Sequence, residues 1–322
     1  MRIIINSILI VFLAVSSLFS AFDLGHISAR PSGMADSFTA LADDASGAFY
    51  NPAGISQLLK NELDSTYSLI YPGLDINNLS QMFFSFVLPI RQTFSIGISY
   101  AGLSLKDLYA EQVFQLTYSR KLNSFWSIFG KDLGKNEFAI GANVKLLRTG
   151  YTVDDTMKLD PLFSGKKNDR TQVTFDAGLL FRIFSSKVNK FYNIGLSLMN
   201  ITQPDMGLKS EDRVPMVFGL GAGIPLQQYG FMEKIRMDNP VFVLGANYRN
   251  KYLNFSAGWE NSFFNEILFL RLGTSMLEFT AGLGFRYDLS KNADILLDYA
   301  FVLPYKIEST EGKHVITLKF RF

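Results

Sequence analysis

Few side chains in this sequence have the chemistry that catalysis requires. The chain contains no Cys and two His, His26 and His314. Nucleophilic catalysis needs a base next to a Ser or Cys, so a Ser–His pair would depend on one of these two imidazoles. Without Cys there is no disulfide or thiolate metal site, and two His are too few for a His-based metal cage. We therefore predict that the protein is not an enzyme and uses neither a cofactor nor a metal ion.

Two further patterns suggest ligand chemistry but have simpler structural interpretations. Gly219, Gly221 and Gly223 resemble a glycine-rich phosphate loop, yet the spacing is wrong and they alternate with apolar residues. Such alternation indicates a strand, in which inward glycines mark the close approach of another backbone. The acidic pairs at 43–44 and 154–155 could bind a cation, or could serve as helix caps and solvated loop residues. Neither pattern predicts a catalytic site.

Most segments of the sequence have apolar residues at every second position, a period that indicates β-strands. A barrel wall in lipid carries apolar residues at every second position, because side chains alternate between the two faces of a strand. The segment 277–287 shows this most clearly, with the outward set Leu277, Phe279, Ala281, Leu283, Phe285 and Tyr287. Charged and small residues fill the positions between them, which predicts a polar lumen. Inward charges along the chain have both signs, which disfavours an ion-selective pore.

Repetition of this pattern predicts an all-β fold. About fourteen strand-like segments follow one another from residue 64 to the end, and an even count places both chain ends on the periplasmic side. The chain is 48% hydrophobic and 14% aromatic. After residue 20, however, no uncharged apolar run is long enough for a transmembrane helix. We predict a transmembrane antiparallel β-barrel of about 14 strands over residues 61–322, with a small N-terminal plug in its lumen.

Both ends of the chain carry signals for export to the outer membrane of a Gram-negative-type bacterium. Residues 1–20 combine a positive start, an apolar segment and small residues near a cleavage point at 20–21, as in a secretory signal peptide. An uncleaved anchor helix is the alternative. The last strand alternates apolar and polar residues and ends on Phe322. This ending resembles the C-terminal signature by which outer-membrane barrels are recognised, so we expect the barrel-insertion machinery and outer-membrane lipid as partners.

Residues 21–60 follow neither the signal pattern nor the strand pattern. Small residues dominate the stretch from Arg30 to Gly54, which closes on an Asn-Pro step followed by Ala and Gly. Small side chains let a backbone fold tightly in a confined space, and the Asn-Pro step breaks a preceding helix. We predict that this stretch is the plug and that its gating residues are Gly33, Met34, Asp43, Asp44, Asn51, Pro52, Ala53 and Gly54.

Some inward positions of the predicted strands are apolar instead of polar. They are candidates for a ligand pocket, unless the plug covers them: Leu147, Leu180, Ile267, Phe269 and Leu296. Connections at 150–170 and 200–212 are predicted to be long outer loops. Those at 121–136 and 227–239 carry aromatic residues, and the first has the spacing of an interfacial amphipathic helix. With 31 basic and 29 acidic residues the charge is balanced, so we expect no nucleic-acid partner.

The plug sequence resembles the N-terminal signature of the FadL-type outer-membrane family, and it resembles the shorter PorV/PorQ-type proteins equally well. The resemblance is carried by Gly33-Met34, Asp43-Asp44, and Asn51-Pro52-Ala53-Gly54. For the FadL type it implies a fourteen-stranded barrel whose hatch blocks the lumen. Hydrophobic molecules such as fatty acids then bind near the outer loops and leave sideways through the wall. For the PorV type it implies a barrel associated with type IX protein secretion.

Two functions therefore follow from the sequence. The first is plug-gated passive uptake of hydrophobic, fatty-acid-like small molecules across the outer membrane. The alternative is a PorV-like protein-interaction barrel that receives a secreted protein in type IX-like secretion or surface attachment. A general diffusion porin is disfavoured because a hatch would occlude its pore.

Overall fold

The structure is a computed structural model that describes residues 22–73, 79–91, 93–106, 108–122, 135–153, 155, 168–208, 210–227, 237–307 and 310–322. No helix in these ranges is long and apolar enough to cross a membrane. Several sequence predictions fall outside the described residues. They are the signal peptide at 1–20 and most of the connections at 121–136, 150–170 and 227–239.

Fourteen antiparallel strands form a closed barrel, in which each strand pairs with its neighbours in sequence and β1 closes against β14. The predicted strand number and barrel class are confirmed. The strands are β1 Glu62–Ile70, β2 Leu79–Ile90, β3 Phe94–Leu105, β4 Tyr109–Lys121, β5 Glu137–Tyr151, β6 Asp169–Ser185, β7 Lys190–Met199, β8 Val217–Pro225, β9 Val241–Arg249, β10 Tyr252–Phe263, β11 Leu268–Ser275, β12 Glu278–Asp288, β13 Asp294–Pro304 and β14 Lys313–Arg321.

The two faces of each strand meet different surroundings. On β12 the outward Leu283 and Phe285 are each 51% exposed, whereas the inward Thr280 is fully buried. Apolar side chains stand outward in the same way on the other strands. An apolar band around the outside of a closed barrel is the surface that a bilayer requires, because a closed barrel leaves no unpaired strand edge in lipid.

The barrel has two rims that differ in their relation to the chain ends. We call the end that carries the start of β1 and the end of β14 the lower rim, and the opposite end the upper rim. At the lower rim the main chains of Asn61 and Phe322 exchange two hydrogen bonds of 3.0 Å each. The Phe322 ring stacks on Phe320 and Phe86, with centroids 5.0 and 6.4 Å away. Phe322 thus completes an aromatic edge beside the β1–β14 seam.

The segment 22–58 lies inside the barrel, where it contacts inward-facing strand residues. We call this segment the plug. It contains one turn of α-helix, Ala29–Ser32, and two 3₁₀ helices, Ala45–Phe49 and Gly54–Gln57. Asp44 caps the first 3₁₀ helix by accepting the N–H of Ser46 at 3.0 Å. Small side chains throughout the segment let these short turns fit within the lumen.

Candidate functional site: the plugged lumen

A track of inward-facing glycines receives the backbone of the plug. One glycine from each of strands β5 to β12 lies against it: Gly141, Gly178, Gly195, Gly221, Gly245, Gly258, Gly273 and Gly282. Contacts run backwards along the plug, from Pro52 at Gly141 to Gly33 at Gly282. A Cβ on Gly141 would overlap the main chain of Pro52. The plug therefore fits because these strands present no side chain along its path.

Asn51 ties two parts of the plug to each other and to the wall. It is fully buried. Its Nδ2 donates to the carbonyl of Thr39 at 2.9 Å and to that of Leu179 on β6 at 3.0 Å. Its Oδ1 accepts the N–H of Ala53 at 3.1 Å. All the hydrogen-bonding groups of the amide are thereby engaged with backbone, which explains why this position carries Asn and not a purely apolar residue.

An ion network fastens the lower plug to the strands. Arg30 lies 2.8 Å from both Asp43 and Glu260, and Asp44 lies 2.6 Å from Lys319 on β14. Burial acts to raise the pKa of Asp44, but Lys319 and Arg30 outweigh it and hold this pKa well below its ordinary value. The plug thus contributes charges of both signs, each paired across the lumen.

The same network continues within the wall through Arg271. The Arg271 guanidinium, 1% exposed, donates to Glu260 and Asp298, each at 2.6 Å. It also lies over the ring of Phe269, 5.3 Å from the centroid. Through Glu260, Arg271 is connected to Arg30 of the plug. The members of the lumenal ion network are therefore Arg30, Asp43, Asp44, Glu260, Arg271, Asp298 and Lys319.

A second fastening holds the upper plug through His26. Its Nε2 lies 2.9 Å from Glu278 on β12, and its Nδ1 lies 3.3 Å from Asp36. Asp36 also accepts the Tyr50 hydroxyl at 2.8 Å. Burial lowers the pKa of His26, but the two carboxylates outweigh it and raise this pKa from 6.5 to about 10. Burial acts on Asp36 in the opposite sense, and His26 outweighs it to lower the pKa of Asp36 to about 2.

Replacing His26 by Gln should destabilise the protein in a pH-dependent way. A folded-state pKa of about 10, above the ordinary 6.5, means that protonation stabilises the fold. This contribution is complete below pH 6.5 and is lost as the pH rises through about 10. Between about pH 4 and 6.5 we expect the parent to exceed His26→Gln in unfolding free energy by about 2–4 kcal/mol. Denaturant titration in lipid vesicles at pH 5.5 and 10.5 measures the difference.

The matched control is His314→Gln, because His314 is half-buried on the outer face, where it contacts the Tyr299 hydroxyl at 2.7 Å. We expect a small difference from the parent at both pH values. A His26→Gln difference that is equally large at pH 10.5 and 5.5 would contradict a charged contact.

In the upper lumen, residues of the wall and of the plug pack into a buried apolar cluster. Phe83, Ala101, Val113 and Leu147 form one row across β2 to β5, each directly opposite the next. Met206 and Val214 of the β7–β8 connection and Phe22 and Ile27 of the plug complete the cluster. We call it the upper chamber. Phe22 is 7% exposed, so the N-terminal segment of the plug forms part of this packed apolar cluster.

The predicted pocket residues are dispersed. Leu147 lines the upper chamber, whereas Leu180 packs beneath the plug against Ala53 and Ala139. Phe269 lies against Arg271, and Leu296 is 6% exposed on the lower part of β13. Ile267 is 44% exposed in the turn after β10 at the lower rim. Leu147 is thus the candidate that the structure places in the apolar cluster of the upper lumen, and a ligand-binding role for all five stays a prediction.

The predicted plug residues lie on the glycine track or in the ion network, except Gly54, which packs within the plug. Gly33 contacts Gly282, and Met34 is fully buried with Phe38 and Val243. Gly54 packs against Ala42 so closely that a Cβ would overlap its main chain. The gating role of these residues is not tested by their position alone. Among the described residues, no group of three His, Cys, Asp or Glu could hold a metal ion.

Several residues of the upper chamber were not expected from the sequence. Phe22 stands next to the predicted cleavage point, and Ile27 precedes the small-residue stretch. Met206 and Val214 belong to the connection between β7 and β8. The available signal was the strand 110–120, where Glu111, Val113 and Gln115 alternate and therefore share one face.

Comparisons with known proteins support the architecture. No protein-family model and no curated protein matches the sequence. A FadL homologue from Pseudomonas aeruginosa has 14% identity and a TM-score of 0.55 over 92% of this chain and 98% of that chain. The monoaromatic hydrocarbon channel CymD has 11% identity and a TM-score of 0.52 over 94% and 98%. The TodX deltaS2S3 mutant, also a monoaromatic hydrocarbon channel, has 12% identity and a TM-score of 0.54 over 93% and 99%.

At these identities the likeness establishes the fold. The chain forms a closed fourteen-stranded barrel with the fold of the FadL homologue and of the two hydrocarbon channels. The resemblance first carried by the plug sequence is therefore matched by the architecture of the whole barrel.

Proposed function

We propose that the protein is an outer-membrane channel for passive uptake of hydrophobic small molecules, with the plug as its gate. The observation that carries this proposal is the upper chamber, a buried apolar cluster within the lumen to which the plug contributes Phe22. A ligand that displaces Phe22 gains apolar contacts of the same kind. Burial of apolar surface contributes about 25 cal/mol per Å², so hydrophobic compounds have the largest driving force to enter.

The arrangement of chamber and plug supports a gated route. The chamber lies toward the upper rim, which faces outward if both chain ends are periplasmic. Beneath it, the plug lies on the glycine track and is held by the ion network. A molecule in the chamber must therefore pass or shift the plug before it reaches the lower rim. Two of the similar structures are monoaromatic hydrocarbon channels, which agrees with an apolar cargo.

A matched pair of variants tests the binding step. Leu147→Gln places an amide in the upper chamber, whereas Leu296→Gln makes the same change at a buried position low in the lumen. We expect Leu147→Gln to weaken retention of radiolabelled 1-decanol about tenfold, since an unpaired polar group in an apolar site is costly. Leu296→Gln should retain it like the parent. Equal retention by both variants would contradict the chamber as the ligand site.

Uptake by cells tests the transport step. Deleting the gene should slow the uptake of hydrophobic compounds. Because the route is passive, a protonophore should change neither the uptake rate of the deletion strain nor that of the complemented strain. Organic extracts of purified protein should contain lipid-like molecules by mass spectrometry. No such molecules, together with unchanged uptake on deletion, would overturn the proposal. A stoichiometric secreted protein in the preparation would favour the protein-interaction alternative.

Delivery to the membrane would depend on the C-terminal strand. Its terminal Phe322 lies with Phe320 and Phe86 on the outer edge of the lower rim. We expect barrel-insertion machinery to recognise this strand before the β1–β14 seam closes.

A further inference from the structure

Glu111 is a buried carboxylate at the head of the upper chamber. It is 4% exposed and lies on the same face of β4 as Val113 of the chamber row. Its Oε2 accepts the N–H of Phe22 at 3.0 Å, and its Oε1 accepts the Tyr109 hydroxyl at 2.9 Å. Both donors are uncharged. Among the described residues, no Lys, Arg or His nitrogen lies within 4.0 Å of this carboxylate.

Phe22 presents two adjacent features to the chamber, an apolar ring and an N–H donor. Both belong to the plug and not to the wall, so a molecule that enters the chamber takes the place of both. Once Phe22 leaves, Glu111 keeps only the Tyr109 hydroxyl as a donor among the described residues. A buried carboxylate that loses a hydrogen-bond donor is costly unless the incoming molecule replaces it.

The surrounding charges do not favour an anion beside Glu111. Arg249 is within electrostatic range of Glu111 but is paired with Asp23, whose side chain is 52% exposed. This pair lies at the solvent-accessible mouth, where screening makes ion pairs weak. Lys145, deeper in the lumen, lies 2.6 Å from Asp176. An entering carboxylate would therefore meet a like charge at the chamber head. The buried Lys313 ammonium on β14 donates at 2.8 Å to the Gly25 carbonyl and to Gln81, not to Glu111.

We infer that Glu111 selects hydrophobic molecules that carry a hydrogen-bond donor, such as long-chain alcohols and amines, and discriminates against ionised carboxylates. The inference rests on the proposed function and narrows its substrate class. Phe22 is the protein's own occupant of the site, and its N–H shows where the donor of an incoming molecule binds. The expected cargo therefore differs from ionised fatty acids, although its apolar part is similar.

The test is equilibrium binding to the full-length protein in lipid nanodiscs at pH 9, where decanoate is ionised. Radiolabelled 1-decanol, decylamine and decanoate are compared, with protein-free nanodiscs as the blank. We expect the parent to bind 1-decanol and decylamine at least about tenfold more tightly than decanoate. Glu111→Gln should reduce the difference between 1-decanol and decanoate to within about twofold, because the repulsion is removed and the amide can donate.

Glu62→Gln is the matched control. Glu62 is also a 4% exposed strand carboxylate, and it accepts a plug N–H, that of Ala45, at 2.8 Å near the lower rim. This variant should keep the preference of the parent. A parent that binds 1-decanol and decanoate equally, or prefers decanoate, would overturn the inference and leave the proposed function intact. Binding of none of the probes above the blank would instead overturn both. The parent measurement decides the question even if Glu111→Gln does not fold.

Discussion

Replacing Arg271 by Met should lower the free energy of unfolding by about 3–5 kcal/mol, the cost expected when one partner of a buried ion pair is removed. Arg271 is 1% exposed and donates to Glu260 and Asp298, each at 2.6 Å. Glu260 keeps Arg30 at 2.8 Å, whereas the remaining cation near Asp298 is Lys319 at 3.9 Å. The loss of stability therefore arises mainly from the Asp298 carboxylate, which is left without a close cation. Denaturant titration in lipid vesicles, followed by the gel mobility of the unheated barrel, measures it.

Two further variants separate charge burial from a general loss of packing. Arg286→Met removes a guanidinium at the lower rim whose partners Glu266 and Asp288 are 43% and 59% exposed, so we expect a change under about 1 kcal/mol. Combining Arg271→Met with Asp298→Asn should recover part of the lost stability, because no unpaired charge then remains at that position. If Arg271→Met is no more destabilising than Arg286→Met, the ion network does not stabilise the barrel.

The barrel could be predicted from the sequence because lipid and lumen impose opposite demands on alternate residues. The predicted segment 276–287 corresponds to β12, Glu278–Asp288. The predicted strand boundaries were wrong where the alternation between lipid-facing and lumen-facing residues stops. The outer loop predicted to end at residue 212 extends further, since β8 begins at Val217 and Arg213 forms an isolated bridge with Asp205. Pro215 lies between Arg213 and Val217 and cannot donate to a strand ladder, which explains why β8 begins at Val217.

The lumenal site was less predictable because its contacts join distant parts of the chain. Inward glycines predicted that a backbone would approach, and the structure places Ala40 of the plug against Gly221. No local pattern indicates that Asp44 pairs with Lys319, which is 275 residues away in sequence. Ile267 was predicted to face inward from a strand, but it precedes the first residue of β11, Leu268. Phe22 was missed because a residue next to a signal peptide has no strand period to identify it.

Replacing Gly141 by Leu should open a leak through the barrel. The backbone of Pro52 and Ala53 occupies the place of a Cβ at this position, so no flexible side chain can move aside. The wall here is paired on both sides, with β5 hydrogen-bonded along its length to β4 and β6. The plug is held more locally, and so we expect it to be displaced. Efflux of sucrose from reconstituted vesicles should rise on the order of tenfold, since a packed interior does not absorb an added side chain.

Gly150→Leu provides the control on the same strand, because a Cβ at Gly150 meets no atom within 4 Å. Its efflux should equal that of the parent. The chain has no Cys, so Ser56→Cys gives a single thiol in the plug at a position that is 3% exposed. Maleimide should label this thiol slowly in the parent background and rapidly when Gly141→Leu is added. Rapid labelling without leakage would show that the plug moves but does not gate the lumen, whereas slow labelling and no leakage would contradict the close fit at Gly141.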